Sequence, residues 1–130
     1  MVGIVIVSHS RKAAEGIFEL AVQMAGENHN IVACGGMEDG GIGTDAIQIK
    51  NAVLKVYSND GVVILADLGS AILSSQAAIE LLDDENMKVI IADAPVLEGA
   101  VSAAVQAYIG GDIKAVVEAA ELAGHTSKLC

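Results

Sequence analysis

The tetrad Ser8-His9-Ser10-Arg11 follows directly on an apolar run, residues 2–7 (VGIVIV), and precedes a stretch of helical periodicity. A histidine at the joint between a strand and a helix faces the N–H groups and positive dipole end of that helix, which favour an anion. A neutral imidazole there is a nucleophile, and a phosphoryl group placed on it would meet those same donors. The plain alternative is an exposed loop histidine. Three features weigh against it: the place at the end of the first strand, the flanking hydroxyls of Ser8 and Ser10, and an acid further along the chain.

That acid is Asp67, which follows the apolar residues 61–66 (GVVILA) as His9 follows the first run. If the two runs are neighbouring strands, their ends lie about 5 Å apart. The carboxylate then accepts the imidazole N–H, selects the tautomer and leaves the other ring nitrogen to attack. Asp67 as a simple turn or cap residue is an equally open reading.

Between these two stands a loop, residues 35–44 (GGMEDGGIGT), with five glycines, Glu38 and Asp39. Glycines allow close backbone approach to a phosphate or a partner, and irregular loops of this length are usually functional or disordered. Its Gly41-Ile42-Gly43-Thr44-Asp45-Ala46 has the form of a dinucleotide turn. It follows the second strand rather than the first, however, and lacks the spaced acid that such a turn requires. Arg11, the only arginine, opposes the dipole of a helix it would open. A phosphate or an acidic partner residue would account for it, as would simple solvation. His29 and His125 have no Cys or carboxylate at ligand spacing, so no metal site is expected. Glu98 reads as complementing a helix N-terminus, and the alanines of residues 100–107 as core or a subunit contact.

The elements that must position these groups alternate between strand and helix. Strands are expected at residues 2–7, 30–34, 61–66 and 87–92. Helices are expected at 10–25, from Thr44 as cap to about 57, from Ser70 as cap to 82, from Pro95 to 108, and at 112–123, with a frayed tail at 125–130. This alternation implies an α/β fold of three layers. It has a four-stranded, mainly parallel sheet in the flavodoxin-like order 2-1-3-4, with helices on both faces. A crevice then opens where strands one and three end.

Composition narrows the partners. The 130 residues are 53% hydrophobic, with 17 acidic against 7 basic side chains and a net charge of −10. Such a surface repels phosphate backbones and anionic lipids, so neither nucleic-acid nor membrane binding is expected. Aromatics are only 2% of the chain, a poor supply for stacking a flavin or bases. Cys34 and Cys130 form no CxxC pair, Cys34 reads as a small buried hydrophobe, and no apolar run is long enough to span a bilayer. The first residues lack a basic leader, so a cytoplasmic location is expected.

The segments IVIVSHS (4–10), QMAG (23–26), GG (35–36), DG (39–40), IGTD (42–45), DLGSA (67–71) and PVLEGAVSAA (95–104), taken in this order, resemble DhaM. DhaM is the family of phosphocarrier subunits of dihydroxyacetone kinases that depend on the phosphotransferase system. The resemblance runs to about residue 111. More distantly the chain is similar to the IIA domain of mannose-type sugar permeases.

The resemblance implies that His9 accepts a phosphoryl group from the carrier HPr and passes it to ADP held on the subunit DhaL. DhaK, which carries the dihydroxyacetone, would be served indirectly. Asp67 would orient the imidazole. Ser10, Arg11, Gly36, Gly43, Thr44, Gly69 and Ser70 would border the phosphate or the partner. A homodimer is implied, with no metal or cofactor in this subunit. Some relatives continue into HPr-like and enzyme-I-like domains; a chain ending at Cys130 would take its phosphoryl group from a separate protein. One mannose-type IIA domain over residues 1–124 is expected, with 125–130 as tail. The competing readings are a flavin or nucleotide module, a IIA component of a mannose-type permease, and a regulatory domain without turnover.

Overall fold

Branched aliphatics make β1 (Gly3–Ser8) a strand that is buried along its whole length, as a strand covered on both faces must be. It pairs in parallel with β2 (Ile31–Gly35) and with β3 (Val62–Ala66), and β3 pairs in parallel with the short β4 (Val89–Ile91). The sheet order is β2-β1-β3-β4, the expected fold. The computed structural model describes residues 1–129. Its helices are α1 (Arg11–Ala25), α2 (Ala46–Val56), α3 (Gly69–Leu82), α4 (Val96–Tyr108) and α5 (Ile113–Leu122), followed by a 3-10 turn at Ala123–His125.

Successive side chains of a strand serve opposite faces. Ile4, Ile6, Val63 and Leu65 pack with α1, α4 and α5 on one side. Val5, Val7, Val62 and Ile64 pack with α2 and α3 on the other. Each large aliphatic so buried contributes about 1.5–3 kcal/mol. The small residues Gly99, Ala100, Ala103, Ala104 and Ala107 of α4 are all buried, so the alanine-rich stretch is core.

Several element ends differ from expectation. The cap of α2 is Asp45, whose carboxylate accepts from the amide of Ile47 at 2.8 Å, rather than Thr44. Thr44 instead shares a 2.7 Å hydrogen bond with the Ser74 hydroxyl. Ser70 lies inside the first turn of α3, and the cap position is Leu68, which makes no side-chain cap bond. Pro95 is the cap of α4 rather than part of its first turn. β4 is shorter than its apolar run because it is paired on one side only, against three residues of β3. In the tail, Lys128 pairs with Glu98 at 2.8 Å; Cys130 lies outside the described residues.

This topology brings two chain segments to one point. β1 and β3 are adjacent, with Val7 opposite Ala66, and the amide of Asp67 donates to the carbonyl of Val7 at 3.2 Å. β1 feeds α1 on one face while β3 feeds α3 on the other, so the turns after both strands meet at the same edge.

Candidate functional site

His9 and Asp67 meet at that edge. The ring Nδ1 of His9 lies 2.9 Å from Asp67 Oδ1, and both side chains are about four-fifths covered, at 19% and 18% exposure. A carboxylate accepts only, so Nδ1 carries a proton, and in the neutral ring Nε2 then keeps the lone pair. Nε2 lies 2.5 Å from the Ser70 hydroxyl, which in this tautomer donates to it.

Asp67 is held from every side. Oδ1 also accepts from the amide of Leu68 at 2.7 Å, and Oδ2 accepts from the Ser8 hydroxyl at 2.8 Å and the His9 amide at 3.1 Å. Burial pushes the Asp67 carboxyl up. The donors from the His9 ring, the His9 amide, Ser8 and Leu68 together outweigh it and hold the group below the ordinary carboxylate range. Those donors favour the carboxylate anion, and it stabilises any positive charge that the ring acquires.

α3 opens beside Nε2 with no side-chain cap. Its first-turn amides face away from the helix body and carry the positive end of the dipole. Gly69 and Ser70 are the first two residues of that turn, and the Ser70 hydroxyl is the part of it that touches Nε2. A crevice of about 400 Å³, lined among others by Asp67, Leu68, Gly69, Ile72 and Gln76, runs from here towards the end of β4. The expected crevice lay between β1 and β3; this one is lined by residues at the ends of β3 and β4, and His9 is not among them.

The glycine loop reaches the site through its backbone. The amide of Gly43 donates to the carbonyl of His9 at 2.8 Å, and that of Gly36 to the carbonyl of Ser8 at 3.4 Å. Gly36 has φ +74°, a left-handed conformation that favours glycine, and a side chain there would come within 3.2 Å of the Gly41 carbonyl. Ser10 caps α1, accepting from the amide of Ala13 at 3.2 Å. Arg11 turns its guanidinium to the carbonyl of Met37 at 3.3 Å, binding the loop to α1. Of the candidates, His9 is in contact with both Asp67 and Ser70, one on each ring nitrogen. Gly43, Gly36 and Ser10 hold the backbone beneath His9, and Thr44 and Arg11 hold the loop.

Ser8 did not enter the candidate set beyond being a flanking hydroxyl. It is buried, at 2% exposure, and lies between Asp67 and the Ser10 amide. The signal was a hydroxyl closing an otherwise aliphatic strand, which no sequence pattern separates from an exposed turn serine. His29 is occupied elsewhere: its Nδ1 accepts from the Ile31 amide at 3.3 Å and its ring packs edge-on against Phe18. Burial, then the charge of Asp45, pushes the Cys34 thiol up to about 11, consistent with a small buried hydrophobe.

Comparison with known proteins gives this geometry a family. The family model described as EIIA-man, the phosphotransferase-system fructose IIA component, matches residues 3–117. The "PEP-dependent dihydroxyacetone kinase 2, phosphoryl donor subunit DhaM" of Listeria innocua serovar 6a is 42% identical over 119 residues, 91% of this chain and 95% of the relative. A DhaM of Pantoea ananatis is 42% identical over 124 residues, 92% of this chain but only 26% of that longer protein. The crystal structure of EF1359, a protein of unknown function, superposes with a TM-score of 0.79 at 32% identity, covering 93% of each chain. The chain belongs to the EIIA-man family of phosphotransferase-system IIA components, among the DhaM phosphoryl donor subunits.

Proposed function

We propose that the chain is a phosphohistidine carrier in which His9 Nε2 takes a phosphoryl group from HPr and delivers it to ADP bound on the DhaL subunit of a dihydroxyacetone kinase. The observation that carries this reading is the His9 Nδ1 to Asp67 Oδ1 hydrogen bond of 2.9 Å, which turns the Nε2 lone pair towards the open end of α3. The relatives support it: the Listeria protein is named a phosphoryl donor subunit of a PEP-dependent dihydroxyacetone kinase.

In the first step the Nε2 lone pair attacks the phosphorus of the donor's phosphohistidine. The donor's P–N bond breaks as the new P–Nε2 bond forms, and the donor ring leaves with its electron pair. Asp67 keeps its hydrogen bond to Nδ1–H and offsets the charge on the ring. The Ser70 hydroxyl gives up its bond to Nε2 and donates instead to a phosphoryl oxygen, beside the amides of Gly69 and Ser70. In the second step a terminal oxygen of ADP attacks the same phosphorus and the P–Nε2 bond breaks, returning the lone pair to the ring. Transfer of this kind asks for positioning and charge stabilisation, and both are built into the end of the sheet.

The same reading includes work in the cytoplasm, where its partners are found, and a homodimeric state. Among the described residues no helix is long and apolar enough to cross a membrane.

The test is incubation with enzyme I, HPr and labelled phosphoenolpyruvate, followed by addition of DhaL with ADP. The expected outcome is acid-labile, alkali-stable label on wild type, none on His9→Ala, and chase of the label into ATP. Label that survives acid or persists in His9→Ala would move the chemistry to a hydroxyl. Label that passes to a sugar-permease component and not to ADP on DhaL would replace the acceptor.

A further inference from the structure

We infer that Ser8 is a positioning residue for His9: its buried hydroxyl joins the anion that holds the imidazole to the backbone that carries it, and so selects the tautomer with Nε2 free. This rests on the reading of His9 as the phosphoryl carrier.

The direction of the hydrogen bonds follows from the donor inventory. The Ser10 amide can only donate and lies 3.1 Å from Ser8 Oγ, so the hydroxyl accepts there. Asp67 Oδ2, at 2.8 Å, can only accept, so the single hydroxyl proton goes to the carboxylate. The chain Ser10 N–H to Ser8 O–H to Asp67 is thus one-way. At 2% exposure the hydroxyl has little access to water that could replace either partner.

Removing it has two effects at once. Oδ2 keeps only the longer 3.1 Å bond from the His9 amide, leaving the carboxylate freer to turn about its Cβ–Cγ bond. The Ser10 amide, at the cap of α1, loses its acceptor immediately after His9. Both the acceptor of the ring and the main chain beneath the ring are loosened. With all four contacts in place Asp67 has two donors on each oxygen. In the Nε2–H tautomer Nδ1 has no proton to donate, so its lone pair would face Asp67 Oδ1 and that hydrogen bond would be lost.

The experiment compares wild type, Ser8→Ala and Ser8→Thr by nitrogen-15 NMR of the histidine rings, with the rate of phosphorylation by HPr measured alongside. In wild type the Nδ1–H tautomer of His9 is expected to dominate at high pH. In Ser8→Ala the Nε2–H tautomer should become populated, the Asp67 carboxyl should titrate higher than in wild type, and the phosphorylation rate should fall about tenfold or more. Ser8→Thr, which keeps the hydroxyl, should restore the tautomer. If Ser8→Ala does not fold, the same readings are taken on Ser8→Cys, close in size and only a weak donor. A tautomer ratio and rate equal to wild type in the folded variant would overturn the inference, as would lowered stability with neither changed. The tautomer measurement needs no phosphoryl donor. Absence of phosphate on wild-type His9 would therefore fail the carrier reading while leaving the role of Ser8 decided by the ring signals.

Discussion

The backbone amide of Gly43 donates a 2.8 Å hydrogen bond to the carbonyl of His9, so the glycine loop is fastened to the residue that carries the imidazole. Gly43 has φ +148° and a side chain there would meet the sulfur of Met37 at 2.8 Å. Met37 is exposed and can swing aside, which leaves the backbone conformation as the main obstacle. Gly43→Ala is expected to lower stability by about 1–2 kcal/mol and to slow phosphorylation of His9. Thermal unfolding together with single-turnover phosphorylation checks this; an unchanged rate would make the loop a spectator.

Asp67→Asn keeps the shape but faces an amide nitrogen towards donors that a carboxylate satisfied. The fold should persist with a loss of about 1–3 kcal/mol, while transfer to and from His9 slows about a hundredfold or more. Rapid-quench measurement of the label on His9 decides it. Wild-type rates would reduce Asp67 to a turn residue.

The pH dependence of stability carries the sign of the Asp67 shift. Its carboxyl titrates below the ordinary value in the folded chain, whereas in the unfolded chain it titrates at about 3.9. Between those values the unfolded state binds more protons, so stability rises with pH. The contribution of Asp67 is complete above about pH 5, where the unfolded carboxyl is also ionised, and disappears as pH falls through the lower, folded value. Urea unfolding of wild type and Asp67→Asn at a series of pH values should show the widest gap at neutral pH and a narrowing gap in acid. A gap that widens in acid would contradict the hydrogen-bonding pattern.

Ser70 should act on the phosphorylated state more than on its formation. In Ser70→Ala the hydroxyl that caps Nε2 is absent, so the attacking lone pair has one bond fewer to release and phosphoryl uptake should change little. The phosphorylated form loses a donor, and its spontaneous hydrolysis should quicken by about two- to tenfold. The decay of acid-labile label over hours is the measurement.

Cys34 should be inert. With its thiol pushed up to about 11 and covered by neighbouring side chains, almost no thiolate is available near neutrality. In a Cys130→Ser background, native protein at pH 8 should react with a disulfide reagent only on the timescale of unfolding. Prompt reaction would mean that β2 opens readily at this edge.

The strand order was legible from the strand–helix alternation, in which runs such as residues 2–7 and 61–66 are apolar throughout, as strands covered on both faces are. That order made the pairing of His9 with Asp67 possible, since each follows one of two adjacent strands. A turn or cap role for Asp67 stood equally open until the structure showed the contact. Helix starts were less legible. Thr44, Asp45 and Ser70 all satisfy the chemical preference for a cap. Which of them caps depends on whether a hydroxyl has a better partner elsewhere, as Thr44 finds in Ser74 and Ser70 in His9.

The sequence by itself determined the alternation of elements, the burial of β1 and β3, and the presence of a histidine and an acid where those strands end. These are consequences of local composition and period, which are written along one dimension. Only the tertiary structure decided that Nε2 rather than Nδ1 faces outward, that Ser8 is buried against Asp67, and that Gly43 reaches back to His9. Each of those depends on hydrogen bonds between residues more than thirty positions apart, or on which side of a turn a hydroxyl falls. The direction of a lone pair is set by the partner on the far side of the ring, and that partner is known only once the chain has closed on itself.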